Sequence, residues 1–212
     1  MKLFCSGIWH VGRRCTNRRL AAVAVAAAAC FFPAGQALAH VQSGGGGLLT
    51  GLLHPVAGLD HVLAMVLVGI WGAQLGRPAV WMMPVAFPTV MAIGGLVGLL
   101  GISLAWSEIA IAVSVVTLGA MVAFSLRPAL ALAFAIVGGF ALFHGYAHGA
   151  ELPPGESGLL YSLGFVVTTG CLHGVGVVIG LLDRLRGGDV MLRGLGAAAG
   201  MAGLYLLSGV VA

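Results

Sequence analysis

Charge is what this 212-residue chain most lacks: ten basic and six acidic residues make up 8% of it, against about 25% in soluble domains. So few charged side chains cannot clothe a packed core in water, and a soluble globular domain is excluded. Basic charge is scarcer still once located. Lys2, Arg13, Arg14, Arg18 and Arg19 sit at the amino terminus, and beyond residue 39 five Arg face six Asp or Glu. That balance argues against nucleic acid as a partner. Cysteine is almost missing as well. Cys5, Cys15 and Cys30 lie in the first 39 residues and leave Cys171 alone in an apolar segment, which excludes intramolecular disulfides and thiolate-cluster metal sites in the remainder. Neither a nucleotide-binding loop nor a catalytic serine arrangement is found.

What is present is apolar residue and glycine: 60% hydrophobic, 35 Gly and a mean hydropathy of +1.08. Residues 1–39 read as a targeting segment, because a basic stretch ending at Arg19 precedes the apolar run LAAVAVAAAACFF and then PAGQALA. That is the order of a secretory signal peptide. Small residues at Ala37 and Ala39 place cleavage after Ala39 and make His40 the first mature residue; an uncleaved signal anchor is the alternative.

The mature chain, residues 40–212, holds six apolar stretches of roughly the 20 residues a membrane-crossing helix needs: 48–75, 80–100, 109–126, 129–148, 159–182 and 190–211. Short connections carry the turn residues and most of the charge. The expected fold is therefore an all-α membrane protein, a single bundle of six transmembrane helices after a cleavable signal peptide. With the new amino terminus outside, Arg77, Arg127, Arg184, Arg186 and Arg193 all fall on the cytoplasmic side, and Glu108, Glu151 and Glu156 on the other. The positive-inside rule then puts both mature termini in the periplasm and the bundle in the inner membrane.

Glycine pairs four apart recur at 72 and 76, 94 and 98, 145 and 149, 170 and 174, 176 and 180, and 196 and 200. Such spacing lets helix backbones approach closely in lipid. We read these pairs as packing within the chain, ahead of a dimer interface. No role is assigned to Trp71, Trp81 or Trp106.

The chemistry is expected where polar groups are costly. On the first stretch, His54-Pro-Val-Ala-Gly-Leu-Asp60-His61 sets two imidazoles seven residues apart, on one face of an ideal helix with about 10 Å of rise between them. Asp60 points elsewhere on that helix. It joins the same cavity if the backbone is distorted, or else holds an imidazole tautomer from behind. On the fourth stretch, His144, His148 and Glu151 share a face by their i, i+4, i+7 spacing. An intramembrane carboxylate costs about 2.5–3.5 kcal/mol even on lenient scales, so these groups are expected to be paired or metal-bound. Imidazole and carboxylate donors suit Ni, Co, Zn or Fe(II) and disfavour Cu(I). His40 is a candidate external capture site, its free amine and ring forming a chelate on a tether of Gly44 to Gly47.

The segments HPVAGLDHVLAMVLVGIWGAQLG and FHGYAHGAE closely resemble the paired signatures of the HupE/UreJ family of membrane proteins, and the likeness covers the whole mature chain. The resemblance implies a secondary permease that takes up nickel, or cobalt, to supply hydrogenase or urease, not an enzyme, with no permanently bound cofactor. It implies metal-handling roles for His54, Asp60, His61, His144, His148 and Glu151. A Thr-x-x-x-His arrangement similar to the family's marks Thr169 and His173 as a second station on the way to cytoplasmic metallochaperones. Other classes place histidines on membrane helices too: a haem-binding electron carrier and a membrane metallohydrolase are the rival readings.

Overall fold

The computed structural model describes residues 47–152 and 155–211, so the targeting segment and His40 lie outside the described residues. Those residues form seven α-helices and no strand: α1 (Leu48–Ala57), α2 (Leu59–Leu75), α3 (Ala79–Leu99), α4 (Ser107–Ala123), α5 (Leu130–Ala150), α6 (Gly158–Gly180) and α7 (Gly188–Val211), with a 3₁₀ turn over Leu181–Arg184. Four of them, counting α6 with its 3₁₀ extension, are long and apolar enough to cross a membrane. The expectation of six continuous spans is thus met only in part. The stretch 48–75 is two helices bent by 83°, and α4 is a shorter apolar helix.

The first break has a local cause. Pro55, in the last turn of α1, cannot donate to the helical ladder, and Gly58 follows in extended conformation at φ −99°, ψ 124°. The far end of α2 stops at Gly76, whose φ of +78° is left-handed and whose N–H reaches the carbonyls of Gly72 and Ala73. Gly76 is therefore a helix terminator, not half of a packing pair.

Helix α2 runs through the centre, burying Met65, Val68 and Trp71 completely, and packs on α3, α4 and α6. The outer faces are apolar: Trp81, Val85, Leu159 and Tyr205 are exposed, as lipid-facing positions are. Glycines make the seams. A Cβ on Gly145 or Gly149 of α5 would strike the backbone at Met91 and Gly95 of α3, and one on Gly94 or Gly98 would strike Leu142 and Tyr146 in return. Gly176 and Gly180 meet α2, and Gly196 meets Gly119 of α4, in the same way. By contrast Gly170 and Gly174 have nothing within 4 Å. Their spacing matches the motif, but they lie on the outer face of α6 and make no seam.

Short α4 is held at its carboxyl end by side chains from its neighbours. Trp71 Nε1 donates to the Leu126 carbonyl (2.9 Å), Gln74 Nε2 to Val122 (3.4 Å) and Arg193 Nε to Ala123 (3.0 Å). Carbonyls that a helix end leaves without partners are satisfied in this way. Trp71 thus has a structural role that its sequence context did not reveal. The Arg127–Asp183 pair (3.6 Å) joins the α4–α5 and α6–α7 connections, so the arginine-bearing loops gather at one end of the bundle. The Glu-bearing loops gather at the other.

Gly145→Ala should cost about 1–3 kcal/mol, because the added methyl meets backbone that cannot move aside, whereas Gly170→Ala should be neutral. Thermal unfolding of the two purified proteins checks this; equal melting points would refute the seam.

Candidate metal site

The break at Gly58 determines the site. An unbroken helix would hold His54 and His61 apart, but across the bend their ring centroids lie 6.2 Å from each other. His148 of α5 comes within 4.6 Å of the His54 ring and 4.5 Å of the His61 ring. One ring nitrogen from each of His54, His61 and His148 lies within 4.8 Å of the others. Imidazole binds zinc-like ions at about 2.0–2.1 Å, so a small inward rotation of these rings closes them on one ion.

Asp60 sits in the first turn of α2 and serves His61. Its Oδ1 accepts the His61 backbone N–H at 2.9 Å and pairs with His61 Nδ1 at 2.7 Å. A proton held on Nδ1 leaves the lone pair on Nε2, which is buried and has no hydrogen-bond partner among the described residues. This is the carboxylate–imidazole arrangement that orients a metal ligand. The backbone is distorted, as one sequence alternative for Asp60 requires, and its carboxylate rests on His61, as the other has it. Gly58 leaves the room for it: a Cβ there would stand 2.6 Å from Asp60 Oδ1 and 2.8 Å from His61 Nδ1.

His144 lies deeper. It is fully buried, its Nδ1–H donates to the Phe140 carbonyl at 2.9 Å, and its ring is 5.4 Å from that of His61. Its Nε2 likewise lacks a partner among the described residues. His148 Nδ1 and His54 Nε2 share a hydrogen bond of 2.9 Å. Glu151 is at the rim, one residue beyond α5, with Oε2 3.6 Å from His54 Nε2 and about half of its side chain exposed (54%). Partial burial first, and the charge of Glu108 second, push its carboxyl up from the ordinary value, a cost that a cation beside it offsets. His173 and Thr169 are fully buried on α6, away from this mouth, and neither has a hydrogen-bond partner for its side chain among the described residues.

Two side chains of the site escaped sequence reasoning. Tyr161 stacks edge-on to His54 (5.8 Å) and Phe165 packs on His148 (4.2 Å). The signal was present: Tyr161, Phe165, Thr169 and His173 recur every four residues and line one face of α6, all buried. A cleft of about 230 Å³, lined by Met91, Gly95, His148, Tyr161 and Phe165 among others, opens beside the cluster between α3, α5 and α6.

Apolar helices long enough to cross a bilayer, wrapped around a sunken cluster of imidazoles, define a multi-pass membrane protein with a candidate metal site. The chain belongs to the HupE / UreJ protein family, whose model matches residues 18–206. It is 46% identical over 171 residues to Protein HupE of Rhizobium leguminosarum bv. viciae, a match covering 81% of this chain and 90% of that one. No solved structure matches it.

Asp60→Asn should lower the affinity for Ni²⁺ about 10–100-fold, the usual effect of losing such a supporting partner. Gly58→Ala should do the same by displacing the Asp60–His61 pair. Asp60→Asn should keep the wild-type melting point, because its amide oxygen can still accept the His61 N–H. Metal titration calorimetry on the detergent-purified proteins measures this, and unchanged affinity in both would remove Asp60 from the site.

Proposed function

We propose that this protein is a secondary permease that takes up Ni²⁺, or Co²⁺, across the cytoplasmic membrane for metalloenzymes such as hydrogenase or urease. The observation that carries this reading is the convergence of His54, His61 and His148 at a helix break, in a chain of the HupE / UreJ family. The ion meets Glu151 at the rim, which attracts it, and is then held by three imidazoles. Asp60 keeps His61 in the tautomer that offers Nε2. His144, its Nδ1 proton engaged by Phe140, presents the next lone pair inward, and His173 with Thr169 forms a second station. His40 captures metal before the mouth, and cytoplasmic metallochaperones take it away at the other end.

The same reading gives six crossings, counting the bent α1–α2 pair and short α4 as one each. A signal peptide is cleaved after Ala39, and both mature termini are periplasmic. The arginine-bearing end of the bundle is then cytoplasmic and the histidine mouth external, as the positive-inside rule requires. Energy comes from a gradient or from trapping of the ion inside, and no reaction is catalysed. The direct contact between the His54 and His148 rings leaves no slot for a porphyrin, which weighs against a haem carrier. The largely apolar walls of the neighbouring cleft weigh against a hydrolase, which needs polar groups to orient a substrate.

In cells without their own nickel and cobalt transporters, this protein should raise accumulation of one or both radioactive ions. His148→Ala should abolish it, and Tyr146→Phe should leave it intact, rates being normalised to membrane-inserted protein. Normal uptake by the His144→Ala, His148→Ala double variant would overturn the pathway.

Orientation has its own measurement. A cysteine placed at Gly158, beside the α5–α6 connection, should react with an impermeant thiol reagent from outside the cell, and one at Gly187 should not. The reverse pattern would invert the direction of transport.

A further inference from the structure

The imidazoles of the described helices fall into two sets that share one aromatic neighbour. The outer set is His54, His61, His148 and, beneath them, His144. The inner set is His173, with Thr169 one turn away on α6. Phe87 of α3 packs on both: its ring centroid is 5.6 Å from that of His144 and 5.2 Å from that of His173, at interplanar angles of 64° and 74°. It is fully buried. His144 Nε2, both ring nitrogens of His173 and Thr169 Oγ1 are all buried with no hydrogen-bond partner among the described residues. Lone pairs suited to a cation thus lie on two rings that are bridged by a third with none to offer.

The helix that carries Phe87 is weakened on both sides of it. Pro84 and Pro88 stand inside α3, and neither can donate to the ladder, so the carbonyls of Val80 and Pro84 lack their helical donors. A helix interrupted this way bends more readily than an intact one. The neighbouring backbone is not free to follow everywhere, because α3 is locked to α5 at Gly94 and Gly98. Any bending at the prolines would therefore fall in the half of α3 before the seam, which holds Phe87.

We propose that Phe87 is the gate of the permeation path, a hydrophobic constriction between an outer ion site ending at His144 and an inner site at His173, opened by bending of α3 at its two prolines. This rests on the permease reading above and adds to it the residue that controls passage. A hydrated cation cannot cross an apolar constriction without a route for its water, so an ion held at His144 waits until the ring moves. An ordinary core phenylalanine has no such effect on flux.

Reconstituted proteoliposomes test this with Ni²⁺ and Co²⁺ as the probes, alongside calorimetric binding of the same ions to each purified protein. Phe87→Trp, a larger plug, should lose uptake while binding Ni²⁺ at the outer site with wild-type affinity. Phe87→Leu, a smaller one, should bind equally well and carry ions faster than wild type. If the Trp variant does not insert, the Leu variant decides alone. Wild-type rates in Phe87→Leu, or loss of outer-site binding in it, would overturn the gate and make Phe87 a packing residue. If the wild-type protein carries neither ion, the permease reading fails and the gate falls with it.

Discussion

Backbone polar groups in a low-dielectric surrounding must find partners, and a helix that breaks there exposes several at once. Everything distinctive about this protein is organised around one such break, between Ala57 and Leu59. The break is tolerated because other elements hold its two halves. Thr168 of α6 donates to the Leu52 carbonyl at 2.8 Å, and Thr50 donates to Glu156 at 2.8 Å. Gly51 of α1 lies so close to Tyr161 that no side chain would fit, and Gly164 meets α1 from the other side. On the α2 half, Asp60 accepts the His61 N–H, one of the donors every helix start leaves unsatisfied. One carboxylate therefore satisfies the backbone and orients the imidazole beside it.

That dual use ties packing to chemistry. The α3–α5 glycine seam fixes how deep His144 and His148 sit, since each lies next to a seam residue, Gly145 or Gly149. The α1–α6 and α2–α6 contacts fix the bend that brings His54 and His61 to them. Small residues are placed where backbones must touch, and imidazoles where the touching backbones leave a pocket. The candidate metal site is consequently a product mainly of helix packing, with the Gly58 break and Glu151 beyond the end of α5 as its non-helical parts.

Much of this was legible in the sequence. Composition pointed to helices with apolar exteriors, and the two motifs contain the three imidazoles that converge, His54, His61 and His148. What periodicity could not supply was the bend: an ideal helix put His54 and His61 about 10 Å apart along its axis, and only the combination of Pro55 with Gly58 in three dimensions brings their rings to 6.2 Å. Tyr161 and Phe165 carry no ligand atom of the kind the motifs pointed to, and only the placement of α6 beside α1 and α5 brings them against His54 and His148. Spacing also over-read Gly170 and Gly174, since four-residue intervals arise readily where glycine is abundant and only burial separates a seam from a surface.

The shortness of α4 carries a consequence for the lipid itself. Its 17 residues span about 26 Å at 1.5 Å per residue, less than the roughly 30 Å of a typical hydrocarbon core, while its partner α7 has 24. With α4 as one of the six proposed crossings, a bilayer adjoining this pair would thin on one side to match α4, or α7 would tilt. On the permease reading the annulus would then be uneven around the molecule, and membrane thickness would be a variable that acts on the fold through α4.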